Sequence, residues 1–150
     1  MRAYVINKKQ ANKLLVGALE LCDLPELGVV KLQMRVDTGA TTSSLHVDNI
    51  EEFSTDGKRY VKFDIHPDVH NVEKVVSKTL PLSGKKVVKS SSADTEKRVV
   101  IKTAINLGGK TWNIKLTLTD RSSMTSLMLL GREAMKNRIL VDPGEEFILS

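Results

Sequence analysis

The sequence has one cysteine, few aromatic residues and no long apolar run, and each of these shortages excludes certain structures or binding partners. Cys22 has no partner for an internal disulfide, so a reducing compartment is permitted. Cys22 lies in an apolar stretch without a nearby histidine, which predicts a packed thiol rather than a nucleophile. No apolar run approaches the ~20 residues that a membrane span needs, so we expect a soluble chain with no membrane partner.

Two further absences concern location and nucleic acid. The segment 1–5 shows no basic region followed by an apolar stretch and a cleavage site, so a cytoplasmic location is expected. A chain whose signal peptide had been removed would look the same. Aromatic residues make up only 4% of the chain and leave few platforms for stacked bases, so nucleic acid is not an expected partner.

The length and composition predict one globular domain spanning residues 1–150. Hydrophobic residues make up 41% of the chain and charged residues 27%, which is typical of a folded protein with a sizeable core. The charge is unevenly distributed, because the segment 73–102 carries eight basic and three acidic residues and thus the whole net charge of +5. This segment is either a solvated loop or a surface that captures an acidic partner. Its basic residues are Lys74, Lys78, Lys85, Lys86, Lys89, Lys97, Arg98 and Lys102.

Alternation of apolar and polar residues dominates the rest of the chain and predicts half-buried strands. The clearest runs are 30–36, 61–65, 99–107 and 112–118. Gly108-Gly109-Lys110 joins the last two, which predicts a β-hairpin over residues 98–119. Several short strands separated by turns indicate an all-β fold, a small closed barrel.

Two stretches depart from this alternation. Good helix formers from Arg132 to Arg138 predict one short C-terminal helix. The stretch 83–94 is rich in Ser, Gly and Lys and predicts a mobile loop, within a basic flap or loop insertion around residues 74–98.

The sequence Asp37-Thr38-Gly39 follows the first alternating run and places one carboxylate on a tight turn at the end of a strand. Gly39 can adopt a strained turn and expose its N–H, and the Thr38 hydroxyl can bond across a dimer axis. Water activation by aspartates needs two carboxylates that share one proton. Because the tripeptide occurs once in the chain, it predicts either a homodimer or no catalysis.

These residues, together with Leu129-Leu130-Gly131-Arg132, resemble the retropepsin-like aspartic proteases. In that family a strand ending in two apolar residues and glycine passes behind the Asp-Thr-Gly turn, and a short helix follows. The resemblance implies Asp37, Thr38 and Gly39 as catalytic residues, and Arg132 as a dimer-interface residue. It also implies that 146–149 could add a strand at the dimer interface.

A narrower resemblance covers nearly the whole chain. The segments 35–46, 98–101, 116–124 and 128–135 are similar to a bacterial family labelled ATP-dependent zinc protease. Members of that family include a protease encoded beside a glutamate ligase that modifies a ribosomal protein, which implies acidic or glutamylated peptides as substrates. The residues expected to support the site or bind substrate are Ala40, Arg98, Asp120, Arg121, Leu130 and Gly131.

The label of that family does not match the residues. A Walker-type phosphate loop is missing from the sequence, so ATP is not an expected cofactor. His66 and His70 have helical ligand spacing, but Pro67 disfavours a helix there, and no metal site is predicted. For His46 a position on the barrel surface is expected.

The leading hypothesis is a homodimeric aspartic endopeptidase that uses Asp37 from each subunit and needs no cofactor. The alternative is a non-catalytic β-barrel module whose basic segment binds an acidic protein. A zinc-dependent hydrolase is the less favoured third hypothesis.

Overall fold

The computed structural model describes residues 11–66, 74–89, 94–120 and 126–149. These ranges hold twelve strands, one turn of 3-10 helix at Pro25–Leu27 and one short α-helix, α1, at Arg132–Met135. The strands are β1 Leu14–Val16, β2 Leu19–Leu24, β3 Val29–Val36, β4 Ser43–His46, β5 Asp48–Thr55, β6 Lys58–Ile65, β7 Val76–Pro81, β8 Gly84–Lys89, β9 Thr95–Leu107, β10 Lys110–Thr119, β11 Met128–Leu130 and β12 Ile139–Val141.

Six of the strands form a closed barrel, in the order β10, β4, β11, β3, β2 and β9, and the pairing of β9 with β10 closes it. The alternating run in β3 buries Leu32, Met34 and Val36 and exposes the residues between them. This outcome follows from the period of two, which sends every second side chain into the barrel. The predicted all-β class and small closed barrel are confirmed.

The hairpin between β9 and β10 is also confirmed. Leu107 pairs with Lys110, so Gly108 and Gly109 form a two-residue connection. Their φ angles of 58° and 80° are those that favour glycine at this kind of turn.

The stretch 83–94 was expected to be a loop, and that expectation is wrong for residues 84–89. They form β8, which pairs with β9 and extends the sheet beyond the six strands of the barrel. Lys85, Val87 and Lys89 are exposed, whereas Lys86 and Val88 are half-buried, so the strand follows a period of two that its Ser, Gly and Lys content obscures. The rest of the predicted basic insertion is also largely strand, because β7 pairs with β6 outside the barrel in a separate sheet with β5. Residues 90–93 lie outside the described part of the chain.

The C-terminal helix is shorter than predicted. It begins at Arg132 but ends at Met135, because Lys136 has an extended backbone and Asn137 has a φ of 67°. Trp112 fixes this helix by donating its indole N–H to the carbonyl of Ala134 at 3.1 Å. No helix in the described ranges is long and apolar enough to cross a bilayer.

Strand β11 determines where the candidate site forms. It lies between β3 and β4, parallel to β3 and antiparallel to β4. Leu130 pairs with Val36, so the end of β11 and the end of β3 lie side by side. The residues after Val36 and the residues after Leu130 therefore leave the barrel at the same point.

Two buried polar groups pack behind this region. Cys22 is buried and donates to the sulfur of Met128 at 3.8 Å, and burial raises the pKa of its thiol to about 12, with a smaller contribution from the charge of Asp23. The predicted packed thiol is thus confirmed. The fully buried carboxylate of Glu20 accepts the backbone N–H groups of Gly17, Ile148 and Leu149 at 2.7, 3.0 and 3.1 Å. It thereby holds the C-terminal segment, the suggested interface strand, against its own barrel.

Candidate active site

Asp37 is the first residue after β3 and lies on the turn that connects β3 to β4. Its backbone N–H donates to the carbonyl of Leu130 at 2.9 Å, which continues the pairing of β3 with β11 by one more residue. The preceding Val36 is buried, whereas Asp37 is partly exposed. The barrel thus fixes the backbone of Asp37 and leaves its carboxylate accessible.

The turn is closed by hydrogen bonds to Asp37 itself. Oδ1 of Asp37 accepts the N–H of Gly39 at 2.9 Å, and its carbonyl accepts the N–H of Ala40 at 3.2 Å. A β-carbon on Gly39 would lie 3.2 Å from Oδ1 of Asp37. Glycine therefore allows the chain to pass close to the carboxylate oxygen and present its N–H to it, as the sequence suggested.

Gly131 lies behind this turn in backbone contact with β4. Its N–H donates to the hydroxyl of Ser43 at 3.0 Å, and a β-carbon in its place would lie 2.6 Å from the carbonyl carbon of Thr42. The next residue, Arg132, donates its own backbone N–H to the carbonyl of Ala40 at 2.8 Å. The Gly131 backbone thus locks the Asp37 turn to the start of α1.

The guanidinium of Arg132 fixes the turn from the other end. Nη1 donates to the carbonyl of Thr38 at 2.8 Å, and Nη2 donates to the hydroxyl of Thr41 at 3.0 Å. Both bonds lie within one chain. The expected role of Arg132 at a dimer interface stays a prediction, but the residue already has a structural role in the single subunit.

A cleft of about 560 Å³ opens beside the turn. Asp37 is the only acidic residue among the described residues that line it, against the three cations Lys86, Lys89 and Arg98. Arg98 is buried, and its Nε donates to Glu96 at 3.0 Å. The full lining is Asp37, Gly39, Ala40, Thr41, Thr42, Lys86, Val87, Val88, Lys89, Arg98 and Thr117. Asp37, Gly39, Ala40 and Arg98 of the expected set thus share one cleft.

Asp120 and Arg121 were expected near the same cleft. Asp120 is exposed and follows Thr119, which pairs with His46 at the end of β4, and it does not contribute to the cleft lining. Thr117, three residues earlier on β10, is the residue of this strand that reaches the cleft. Arg121 lies outside the described residues. The expected roles of Asp120 and Arg121 at the site stay predictions.

The family of the chain follows from the comparison with known proteins. Residues 15–150 match the RimB-like family, described as retropepsin-like aspartic endopeptidase RimB. The chain belongs to this family. The match includes the whole of the Asp37 turn, β11 and α1, and it supports a hydrolase of the aspartic type as the general class of this family member.

Similar proteins include longer chains with a different name. The chain is 46% identical over 139 residues to a probable alpha-L-glutamate ligase of Shewanella pealeana, and 44% identical over 132 residues to one of Desulfotalea psychrophila. These matches cover 92% and 88% of this chain but only 30% and 28% of the ligases. The chain therefore spans less than a third of the length of these relatives.

A solved structure of similar size has the same fold. The crystal structure of protein Lpg0085 from Legionella pneumophila, whose function is unknown, is 32% identical and superimposes with a TM-score of 0.75. The match covers 91% of this chain and 98% of that one.

His46 and His66 lie outside the cleft lining and share one carboxylate. His66 Nε2 is 2.7 Å from Asp48 Oδ2, and His46 Nε2 is 3.8 Å from Asp48 Oδ1. Both imidazoles direct Nε2 at the same carboxylate, as ion-pair partners do. Across the described ranges no group of three or more His, Cys, Asp or Glu residues is arranged to hold a metal ion. His70 lies outside those ranges.

The sequence prediction missed a cluster of three polar residues, of which Lys86 and Thr42 line the cleft and Glu133 contacts both of them. Lys86 on β8 donates to the hydroxyl of Thr42, and its Nζ lies 3.4 Å from Oε1 of Glu133 on α1. Thr42 also bonds Glu133 at 3.3 Å. The alternation of residues 84–89 could have indicated Lys86, because a strand with this period places Lys86 and Val88 on the same face of the sheet.

Proposed function

We propose that the chain is one half of a homodimeric aspartic endopeptidase, in which Asp37 of each subunit activates water for attack on a peptide carbonyl. The observation that carries the proposal is the Asp37 turn. Its carboxylate is oriented by the N–H of Gly39, held at the end of a barrel strand by Leu130, and faces an open cleft. A rigidly held and accessible carboxylate is what this chemistry requires.

The dimer follows from the number of carboxylates. Within the described part of the cleft Asp37 has no acidic companion. Two carboxylates about 3 Å apart cannot both ionise, so one keeps a proton and acts as the acid while the other acts as the base. A second copy of the chain supplies the missing carboxylate.

A second groove, of about 550 Å³, supports the placing of the partner subunit next to this turn. It shares Thr41 with the cleft and is lined by Thr38 and Arg132 together with apolar side chains. Those apolar side chains are Met135, Ile139 and Val141. An apolar groove beside the catalytic turn is suited to burial by a second copy.

Acidic or glutamylated peptides are the proposed substrates. The cations Lys86, Lys89 and Arg98 outnumber the one carboxylate of the cleft, which favours substrates with negative side chains. The names of the longer relatives point to glutamate addition, and a peptidase for glutamylated peptides would act on the product of such a ligase. For this chain we propose a cytoplasmic location.

The test combines peptide cleavage with solution mass. Asp37→Asn is expected to abolish cleavage of a glutamate-tailed peptide, and Asp56→Asn, which makes the same change on the exposed turn between β5 and β6, is expected to leave it unchanged. Sedimentation at micromolar concentration should detect a dimer. Cleavage that survives Asp37→Asn, or a strict monomer in an active sample, would contradict the proposed mechanism.

The second candidate function is a non-catalytic module that binds an acidic protein, and the excess of cations in the cleft favours it as well. Acidic peptides would then bind to wild type and to Asp37→Asn alike, and no peptide would be cut by either. Isothermal titration calorimetry beside the cleavage assay distinguishes the two functions.

A further inference from the structure

Lys86 occupies a position that no other cation of the cleft shares. It belongs to β8, which runs along the cleft, and its ammonium group reaches both Thr42, which also lines the cleft, and Glu133 on α1. The residue therefore borders both the space where a substrate would lie and the helix that follows Gly131.

The ion pair between Lys86 and Glu133 is long and partly exposed to solvent. The nitrogen and oxygen are 3.4 Å apart, and the side chains are 37% and 47% exposed. Pairs exposed to this extent contribute ~0–1 kcal/mol, because water and salt screen them. Replacing Glu133 by another carboxylate would therefore cost little.

We propose that Lys86 determines specificity by exchanging partners. Glu133 holds the ammonium group in the free protein, and a carboxylate of the bound peptide takes its place while Thr42 remains bonded to Lys86. The inference rests on the proposed function for its substrate class. A peptide with an amide at that position cannot replace the charge of Glu133, so the exchange discriminates glutamate from glutamine.

The two members of the pair should then have opposite effects on binding. Removing Lys86 removes the group that receives the substrate carboxylate, whereas removing the charge of Glu133 removes its internal competitor. The effect of Glu133 must also vanish when Lys86 is absent, because it acts only through Lys86. This dependence is what a double-mutant cycle measures.

The experiment measures binding of fluorescent tetraglutamate and tetraglutamine peptides at 0.15 M salt, in the Asp37→Asn background so that nothing is cut. Lys86→Met is expected to weaken tetraglutamate binding about tenfold, the loss typical of a charge-assisted hydrogen bond, and to leave tetraglutamine unchanged. Glu133→Gln should strengthen tetraglutamate binding about threefold, and it should have no effect in the Lys86→Met protein.

Lys85→Met is the matched control. Lys85 is the neighbouring residue on β8 and carries the same charge, but it pairs with Glu52 at 2.9 Å and does not line the cleft. Equal losses from Lys85→Met and Lys86→Met would show a general effect of charge and overturn the proposal. Additive effects of Lys86→Met and Glu133→Gln would overturn it too.

Folding and the proposed catalysis are checked separately. Thermal unfolding is followed for each variant, and Lys86→Arg, which keeps the charge, should retain tetraglutamate binding even if Lys86→Met folds poorly. If a folded Lys86→Arg protein loses tetraglutamate binding, or if Glu133→Gln binds like the parent, the exchange is wrong. Because the assay needs no turnover, failure of cleavage refutes the proposed peptidase without deciding the role of Lys86.

Discussion

Gly131 packs backbone against backbone on Thr42, so closely that a β-carbon on Gly131 would lie 2.6 Å from the carbonyl carbon of Thr42. Real β-carbons do not approach a backbone atom to that distance. Gly131→Ala must therefore push β11 away from β4, and we expect it to lower the free energy of unfolding by about 2–3 kcal/mol. Urea denaturation followed by tryptophan fluorescence measures the change.

Gly84→Ala is the control for this prediction. A β-carbon at Gly84 meets nothing within 4 Å, so its stability should stay within about 0.5 kcal/mol of wild type. Similar losses from the two substitutions would show that the contact between Gly131 and Thr42 is not the cause.

Arg132→Lys tests the brace on the Asp37 turn. An ammonium group is a single point of charge and cannot reproduce the fork that bonds both Thr38 and Thr41. We expect the free energy of unfolding to fall by about 1 kcal/mol, together with a loss of activity. Guanidinium unfolding at several protein concentrations provides the measurement.

The concentration dependence separates the two roles of Arg132. A defect within the subunit lowers stability equally at all concentrations, whereas a lost dimer contact lowers it most where wild type is dimeric. An unchanged stability and activity would contradict the brace. Lys58→Arg, an exchange between the same residue types at an exposed position that lines neither the cleft nor the second groove, should be neutral.

Glu20→Gln tests how the C-terminal segment is held. The buried carboxylate accepts three backbone N–H groups, and an amide would turn one of its acceptors into a donor that faces them. We expect a loss of about 2–3 kcal/mol in unfolding free energy and faster hydrogen exchange of the Ile148 and Leu149 amides. Glu146→Gln, on an exposed side chain, should change neither.

The buried thiol predicts a specific pH dependence. The pKa of Cys22 rises from 9.0 to about 12 on folding, so between these values the unfolded chain has lost a proton that the folded chain keeps. Below pH 9 the thiol is protonated in both states, and the free energy of unfolding does not depend on it. As the pH rises from 9 towards 12, ionisation favours the unfolded chain, so the free energy of unfolding falls. Melting temperatures from pH 7 to 11 should fall more steeply for wild type than for Cys22→Ala. Parallel curves would show that the thiol does not contribute.

The sequence allowed the barrel to be predicted because alternation reports directly which side chains face inwards. Residues 32–36 and the hairpin around Gly108 and Gly109 obey this rule, and the structure follows it there, whereas Val30 is exposed beside Lys31. Residues 84–89 obey it too, but their lysines and the flanking serines made composition suggest a loop. Residues 84–89 form a strand because they pair with β9, and local composition does not report this pairing.

The candidate site was predictable where one short segment contains the chemistry, as at Asp37, Thr38 and Gly39. It was not predictable where distant segments meet. The contacts of Lys86 with Thr42 and Glu133 join residues 44 and 47 positions apart, and nothing in the local pattern of any one of them indicates the other two. The place of Asp120 relative to the cleft is of the same kind, since it depends on the register of β10 against β4.

The insertion of β11 between β3 and β4 has a consequence for folding. The guanidinium of Arg132 reaches back across 94 residues to the carbonyl of Thr38, so most of the chain must be arranged before the Asp37 turn acquires its final form. Closing so long a loop is slow compared with forming local hairpins such as the one between β9 and β10. A growing chain on the ribosome therefore lacks a finished Asp37 turn until β11 and α1 have emerged, and partly made chains cannot hold the Asp37 carboxylate in its final position.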